Sequence, residues 1–404
     1  MGDQMVLRAC GARIGLDVLG GDIAYISHAH SDHSEAVGGP LKIFCTDPTA
    51  DLLGIEYGGG ADGRGETPGA QTGGKENAPN AQTDGNEDNG RNEKNGMADP
   101  LAGLLPAPDP FEPVAAARNL PALKPGRRPK MKKDLRQRAH IPDGVRLHRA
   151  GHMLGSAQLE AASEAEGNVV YTGDFKLRDG LSVKGAPVVP CDTLIIECTY
   201  GDPRVSFPDP KEVLSDMERW SRQHRDSIQI WGGYSTGKAQ EVVKFLNDYV
   251  GAVPVVSRRI AQVCAAYGKH GVKLEWMEPS SPEAQEAMRD PFYAVLPPHL
   301  IRHNLAGKLS RVHGRKALTA FPTGWALLRD VGADAAFPLS DHADYGEILR
   351  YAQESGAKRI YTAHGDNENT AQALREAGLD AWPVGKRTGQ QTLLEALAEP
   401  GRGK

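Results

Sequence analysis

The stretch Ser27-His28-Ala29-His30-Ser31-Asp32-His33 places three histidines and an aspartate within six consecutive positions, 28–33. It follows a short apolar run, Ile23-Ala24-Tyr25-Ile26, which reads as a buried strand. Neutral imidazole and carboxylate are ligands that first-row divalent metals such as zinc accept. As the chain leaves the strand, His28 and His30 are spaced to converge on one metal. Asp32 and His33, further round the turn, are spaced to reach a second. Two metals roughly 3.5–4 Å apart form a clamp suited to phosphodiester hydrolysis. A polar surface loop is the bland reading of any one of these histidines, but four candidate ligands together argue against it.

Outward from this stretch the same pattern recurs. An apolar run at 145–150 leads into Gly151-His152-Met153-Leu154-Gly155-Ser156, and one at 169–172 ends at Gly173-Asp174. A run at 193–196 ends at Glu197-Cys198-Thr199-Tyr200, and one at 359–362 ends at Ala363-His364-Gly365. Strands that repeatedly end in a small turn carrying a histidine or carboxylate point to one site at the edge of a sheet. Further strands are expected at 6–10, 14–19 and 41–45. A helix is expected from Pro48, with Asp47 as its cap. From 208 onward helical and strand patterns alternate, with helices at 210–223, 237–249 and 258–269. Strands fall at 227–231, 253–256, 293–296 and 317–320, which predicts a second, parallel-sheet domain. The chain then returns to Ser340-Asp341-His342, a helix at 345–355, a helix at 370–377 and a strand at 381–384.

A length of 404 residues is enough for two such domains. Residues 58–97 are Gly, Asn, Asp, Glu, Thr and Lys with almost no large apolar side chain, so burial there cannot offset the entropy of ordering, and disorder is expected. A Pro- and Ala-rich stretch continues to 122. A cationic cluster from Lys124 to Arg138 then reads as a solvated tail or, alternatively, as a phosphate-backbone contact. Because metal-ligand chemistry resumes directly afterwards, 58–139 reads as an insertion into a folded domain. The net charge of −5 excludes a generally basic nucleic-acid binder but not an enzyme that uses a local groove. The five cysteines are scattered with no C-x-x-C pair, which fits a reducing cytoplasm. No apolar run reaches the roughly 18 residues of a membrane span, and the start lacks a signal-peptide pattern. A soluble cytoplasmic protein with no membrane partner is therefore expected.

His28-Ala29-His30-Ser31-Asp32-His33, Gly151-His152, Gly173-Asp174 and Ala363-His364-Gly365 together resemble the metallo-β-lactamase superfamily. Glu197-Cys198-Thr199-Tyr200-Gly201, Tyr234-Ser235-Thr236-Gly237-Lys238-Ala239-Gln240 and Ser340-Asp341-His342-Ala343-Asp344 resemble its β-CASP nucleases, in particular the prokaryotic mRNA 3′-end-processing-factor-like and ligase-associated exonuclease sets. Thr319-Ala320-Phe321-Pro322-Thr323-Gly324-Trp325 is similar to a segment found there. The resemblance implies an α/β fold: an αββα sandwich with an inserted β-CASP α/β domain. The sandwich would occupy 1–57, 140–204 and 323–400, the β-CASP domain 205–322, and the disordered insertion 58–139. It implies two zinc ions, with manganese as the alternative. His28, His30 and His152 would hold one and Asp32, His33 and His364 the other, with Asp174 bridging. Glu197 would orient Asp32 or His33, and His342 would face the leaving oxygen. Asp32, Glu197 and His342 are thus the expected catalytic residues. Departures from the family pattern are the long insertion, Cys198 where serine is common, and Asp341 where glycine is common.

Ser156, Lys238 and Tyr234 are candidate substrate contacts. Ser156 is equally readable as a turn cap. Lys238 follows Gly237 at a helix start, where backbone N–H groups favour phosphate. Ala239 after Lys238 rules out a nucleotide-binding P-loop. Trp231, Tyr234 and Trp325 are suited to stacking bases, though a buried aromatic is the commoner outcome. The expected activity is zinc-dependent phosphodiester hydrolysis of nucleic acid, with RNA favoured over DNA because the resemblance associates a histidine at the His364 position with RNA. The alternatives are a DNA-repair exonuclease and a lactone, thioester or lactam hydrolase. A protein partner or a second copy of the chain stays open.

Overall fold

The histidine-bearing strand, β3 (Ile23–Tyr25), sits inside a four-stranded sheet ordered β1-β2-β3-β4. The structure is a computed structural model and describes residues 5–37, 39, 41–57, 138–301 and 304–384. β1 (Val6–Ala9) and β2 (Ala12–Leu16) pair antiparallel, whereas β3 pairs parallel with β2 and with β4 (Lys42–Phe44). A second sheet has six strands, ordered β15-β14-β8-β7-β6-β5. They are β5 (Val145–Arg149), β6 (Ala157–Ser163), β7 (Gly167–Tyr171), β8 (Thr193–Cys198), β14 (Arg359–Gly365) and β15 (Ala381–Pro383).

Strand alternation decides what each face meets. Tyr25 points into the space between the sheets, with Leu7, Ile14, Leu16 and Phe44, against Leu159, Val169, Tyr171 and Ile195 of the six-stranded sheet. Its neighbours Ala24 and Ile26 point the other way, toward Leu52 and Leu53 of helix α1 (Asp47–Tyr57). In β8, Leu194 and Ile196 likewise face away from Ile195. They pack on Ile348 and Tyr351 of α8 (Tyr345–Glu354) and Leu374 of α9 (Asn367–Glu376). The layers are helix, sheet, sheet, helix, as expected.

The inserted unit is built on a parallel sheet ordered β10-β11-β9-β12-β13. These strands are β9 (Ile228–Gly232), β10 (Val255–Val256), β11 (Tyr293–Leu296), β12 (Ala317–Pro322) and β13 (Ala335–Phe337). Every residue of β9 is buried, as a parallel strand covered on both faces requires. Helices α2 (Pro210–Gln223) and α4 (Arg258–Lys269) fall where the periodicity puts them, capped by Asp209 and Ser257. α3 (Lys238–Phe245) is shorter than the expected helix. It passes into one π turn, Leu246–Val250, and ends at Gly251 with φ 74°.

Three expectations need correction. β13 pairs with β12, so the second unit's sheet runs past the boundary expected at 322. Its three residues are too few to carry a periodic signal. α5 (Pro282–Ala287), α6 (Pro298–Ile301), α7 (Leu305–His313) and strand β6 were not expected. The helices are short, and the alanine-rich β6 sequence carries little β-propensity. Arg138, read as part of a solvated or phosphate-binding cluster, instead fastens the chain beside β4. It donates to Cys45 O at 2.9 Å and pairs with Asp47 Oδ1 at 2.5 Å, while Ala139 N donates to Ile43 O at 2.8 Å. The expected disorder of 58–97, and the rest of the cationic cluster, lie outside the described residues. Among the described residues no helix is long and apolar enough to cross a membrane.

Candidate metal centre

Residues past the end of β3, in the β5–β6 turn and after β7 bring four donor groups to one point. His28 Nε2 lies 3.1 Å from His30 Nδ1, and His152 Nε2 lies 3.2 Å from that same atom. Asp174 Oδ2 is 3.4 Å from His28 Nε2 and 3.8 Å from His152 Nε2. Two glycines make this approach possible. Gly151 has φ 77°, and a Cβ there would stand 2.4 Å from Lys176 O; Gly173 has φ 52°, and its Cβ would stand 2.6 Å from Ser27 Cβ.

The outward nitrogens show how the rings are held. His30 Nε2 is 3.0 Å from Thr236 O, and His152 Nδ1 is 3.1 Å from Asp341 O. A carbonyl only accepts, so each outward nitrogen carries the proton and each inward one a lone pair. His28 Nδ1 lies 3.0 Å from Ser27 Oγ, whose own proton goes to Asp17. Burial, reinforced by the neighbouring imidazoles, holds the pKa of His28 and of His152 well below the usual histidine value, so both rings are neutral. Three lone pairs and a carboxylate facing one another repel unless a cation lies between them. Donor atoms tetrahedrally placed about 2.0–2.2 Å from a shared ion stand about 3.3–3.6 Å apart, close to the spacings here. Asp174 Oδ1 is buried with no hydrogen-bond partner. The donor set therefore fits a divalent metal.

A second group surrounds His33. Its Nε2 is 3.3 Å from Asp174 Oδ1 and 3.9 Å from Asp32 Oδ2, and its ring centroid is 4.4 Å from that of His364. Burial opposes a charge on His33, but Asp174 and the hydrogen bond to Asp17 outweigh it and raise its pKa to about 10. The Nε2 proton sits among carboxylates, where a cation would displace it. The Asp32 carboxylate is 77% exposed, the one expected ligand open to solvent. His364 has φ 53°, a left-handed conformation rare outside glycine, at the irregularity where β14 shifts register against β8.

Asp17 was missed by the sequence reading. Its carboxylate accepts from Ser27 N at 2.6 Å, Ser27 Oγ at 2.6 Å, His33 Nδ1 at 2.9 Å and Tyr171 Oη at 2.7 Å. Tyr171 Oη also lies 2.9 Å from His364 Nε2. Four donors occupy this carboxylate, so it aims His33 and Tyr171 rather than facing an ion. The available signal was an acid directly after the apolar Ile14-Gly15-Leu16. We predict that Asp17→Asn lowers affinity for the second metal equivalent by about 10- to 100-fold. Metal titration followed by calorimetry, with the first equivalent unchanged, checks it.

Glu197 is not where it was expected. Its Oε1 accepts from His342 Nδ1 at 3.0 Å and Phe175 N at 3.2 Å, and its Oε2 accepts from Thr199 N at 2.9 Å. It orients His342, not Asp32 or His33, because β8 delivers it to the side of Asp174 on which the 340–344 loop lies. His342 Nδ1 is also 4.0 Å from Asp174 Oδ2. Burial works against the His342 imidazolium, yet Glu197 and Asp174 outweigh it and raise the pKa to about 9.

Two substrate-contact expectations are also corrected. Lys238 is buried and donates to Leu339 O and to Asp341 Oδ1, both at 2.8 Å, so its ammonium is committed to the 339–341 loop rather than to phosphate. This ion pair explains Asp341 at a position where the family commonly has glycine. Ser156 Oγ donates to Met153 O at 2.8 Å and accepts from Met153 N at 3.1 Å, closing the turn that presents His152 and touching neither metal group. Tyr234 is 62% exposed, while Trp231 is wholly buried. Tyr234 lines a cleft of about 760 Å³ between the two units, together with His30, Asp32, Asp174, His342 and His364.

Around α3 the second unit meets the candidate metal centre through Thr236 O on His30, and the segments around it through Lys238 on Asp341 and Glu241 accepting from Leu181 N and Ser182 N. Lys238→Met leaves the Asp341 charge buried and unpaired, and should cost about 3–5 kcal/mol of stability. Lys238→Met with Asp341→Leu should recover most of that loss. Denaturant unfolding of the two variants beside wild type measures the difference.

No family model matches the chain. Over 252 residues it is 35% identical to the "Probable DNA ligase" of Opitutus terrae, covering 60% of this chain and 24% of that protein. It is 38% identical over 109 residues to the "Probable RNase MJ4" of Methanocaldococcus jannaschii, covering 26% and 25%. With the "RNase J-like protein" of the same organism it shares 24% identity over 293 residues, covering 67% and 55%. The chain thus spans about a quarter of the length of the first two relatives. Fold, donor cluster and relatives together place it in the metallo-β-lactamase superfamily. Within that superfamily it belongs to the β-CASP nuclease group.

Proposed function

We propose that the chain is a metal-dependent phosphodiesterase that cleaves nucleic acid in the cleft between its two units. The observation that carries this is Asp174, which faces the His28, His30 and His152 nitrogens with one oxygen and His33 with the other. His28, His30, His152 and Asp174 would hold one metal, and Asp174, His33, His364 and Asp32 the other. Nitrogen and oxygen donors at tetrahedral spacing suit zinc, with manganese as the alternative. When bound, the metals supply a hydroxide near neutral pH and neutralise charge that develops on the phosphoryl oxygens.

The chain's own groups do the rest. Asp174 would serve both metal positions, since one oxygen faces His28 and the other His33. Thr236 and Asp341 carbonyls fix the His30 and His152 tautomers. Glu197 pins Nδ1 of His342, leaving Nε2 to protonate the leaving oxygen.

The second unit walls the cleft and supplies Tyr234 to it, which favours a long substrate over a small lactone, thioester or lactam. RNA is the preference read from His364. A second reading, DNA, is favoured by a specific observation: the match to the protein named as a DNA ligase is at 35% identity over 252 residues, against 24% over 293 for the RNase J-like relative. Purified protein is incubated with end-labelled single-stranded RNA, single-stranded DNA and a chromogenic lactam, with and without chelator. Chelator-sensitive cleavage of a nucleic acid is expected, and product ends define polarity. Hydrolysis of the lactam alone overturns the reading.

A further inference from the structure

Beside the metal cleft lies a smaller cavity of about 390 Å³, and the two share Tyr234, Lys238, Thr323 and Trp325. The side cavity is lined by the apolar Phe321, Pro322 and Ile301 and by the polar Thr323, Arg329 and Asp330, with the exposed Tyr234 ring at the part it shares with the cleft. Trp325 is half-buried. One neighbour of its indole is Tyr200, at 5.1 Å between centroids, and the Arg329 guanidinium lies 4.8 Å from its ring centroid. Tyr200 in turn stands 6.0 Å from the His342 ring. These two ring-to-ring steps put Trp325 within about three stacked nucleotides of His342.

We propose that this side cavity is a nucleobase subsite, in which one base of the strand lying across the metal cleft stacks on Trp325 and Tyr234. The proposal rests on the nucleic-acid reading above and deepens it. Four features identify a base as the occupant. The cavity is continuous with the cleft that would hold the backbone. Its two shared aromatics offer π faces, on which any base stacks without sequence preference. Phe321, Pro322 and Ile301 give it an apolar wall that a base can pack against, while Thr323 and Asp330 are polar groups in reach of a base edge and Lys238 is already paired with Asp341. Arg329 places a positive charge beside the indole, suited to the phosphate next to the stacked base.

The test uses full-length, metal-loaded protein and single-stranded oligonucleotides of RNA and DNA. Trp325→Leu and Tyr234→Leu are compared with wild type and with Trp325→Phe. The readouts are KM, kcat, metal content and thermal midpoint. In the expected result, each leucine variant raises KM about 10- to 100-fold, with kcat and metal content held. Trp325→Phe recovers most of that loss. A single abasic position, walked along the oligonucleotide, weakens wild type by a similar factor at one register near the cut and has no further effect in Trp325→Leu. A 2-aminopurine at that register is quenched on binding wild type but not Trp325→Leu.

Unaltered KM in both leucine variants, or no register at which the abasic substrate suffers, overturns the subsite alone. Loss of metal or of thermal stability in Trp325→Leu, with Tyr234→Leu unaffected, assigns Trp325 to packing and also overturns it. If wild type cleaves and binds no oligonucleotide, the nuclease reading falls and the subsite with it.

Discussion

Asp174→Asn is expected to abolish hydrolysis and to release metal. The carboxylate faces two groups at once, the His28 and His152 nitrogens from Oδ2 and His33 from Oδ1. An amide has the same shape but brings no charge, and it turns one of the two acceptor positions into a donor. A donor aimed at lone pairs that should meet a cation repels that cation. The loss of metal-assisted hydroxide formation and of phosphoryl charge neutralisation amounts to several kcal/mol, or at least about 10³-fold in rate. Elemental analysis after dialysis should show fewer than two metals per chain, and circular dichroism should match wild type. Retention of both metals with near-normal cleavage would sink the ligand assignment.

His342→Ala should lower kcat by about 10²- to 10⁴-fold while both metals stay bound, as removal of a general acid does. His342 approaches the Asp174 carboxylate only at 4.0 Å and lines the cleft, so its removal leaves the donor spacing around His30 intact. The protonated ring is the active form. It is lost as pH climbs through the His342 pKa, which Glu197 raises and cations held beside Asp174 lower, so the kcat profile should carry an alkaline limb that belongs to this ring. Among the groups that raise this pKa, the Glu197 charge comes first, ahead of Asp174. Glu197→Gln removes its charge, and the limb should move toward acid by about one pH unit. A limb that stays in place in Glu197→Gln, or that survives in His342→Ala, would assign it to another group.

The candidate metal ligands were legible because each reports locally. An apolar run of strand length, then a glycine or alanine, then a histidine or carboxylate, is visible in ten residues. So were α2 and α4, whose helical periodicity extends over several turns. What the sequence withheld depends on register between distant segments. Asp17 reaches His33 only because β2 and β3 lie side by side and the loops beyond both bend the same way. The partner of Glu197 is set by where the 340–344 loop comes down against β8, which no spacing rule reports. Lys238 has the local signature of a phosphate contact at a helix start, but its partner Asp341 lies about a hundred residues on, beyond the reach of any local pattern.

The position of β14 also governs when the candidate site is complete. β14 pairs parallel with β8 and carries His364, and His342 arrives just before it, yet the whole second unit separates these residues from β8 in the chain. His28, His30, His33, His152 and Asp174 all precede the end of β8, whose edge stays unpaired until β14 is made. The chain lacks the proton donor and the last histidine until synthesis has passed 364. Placing the finishing residues late leaves a growing chain with an incomplete donor set until its last strands are made.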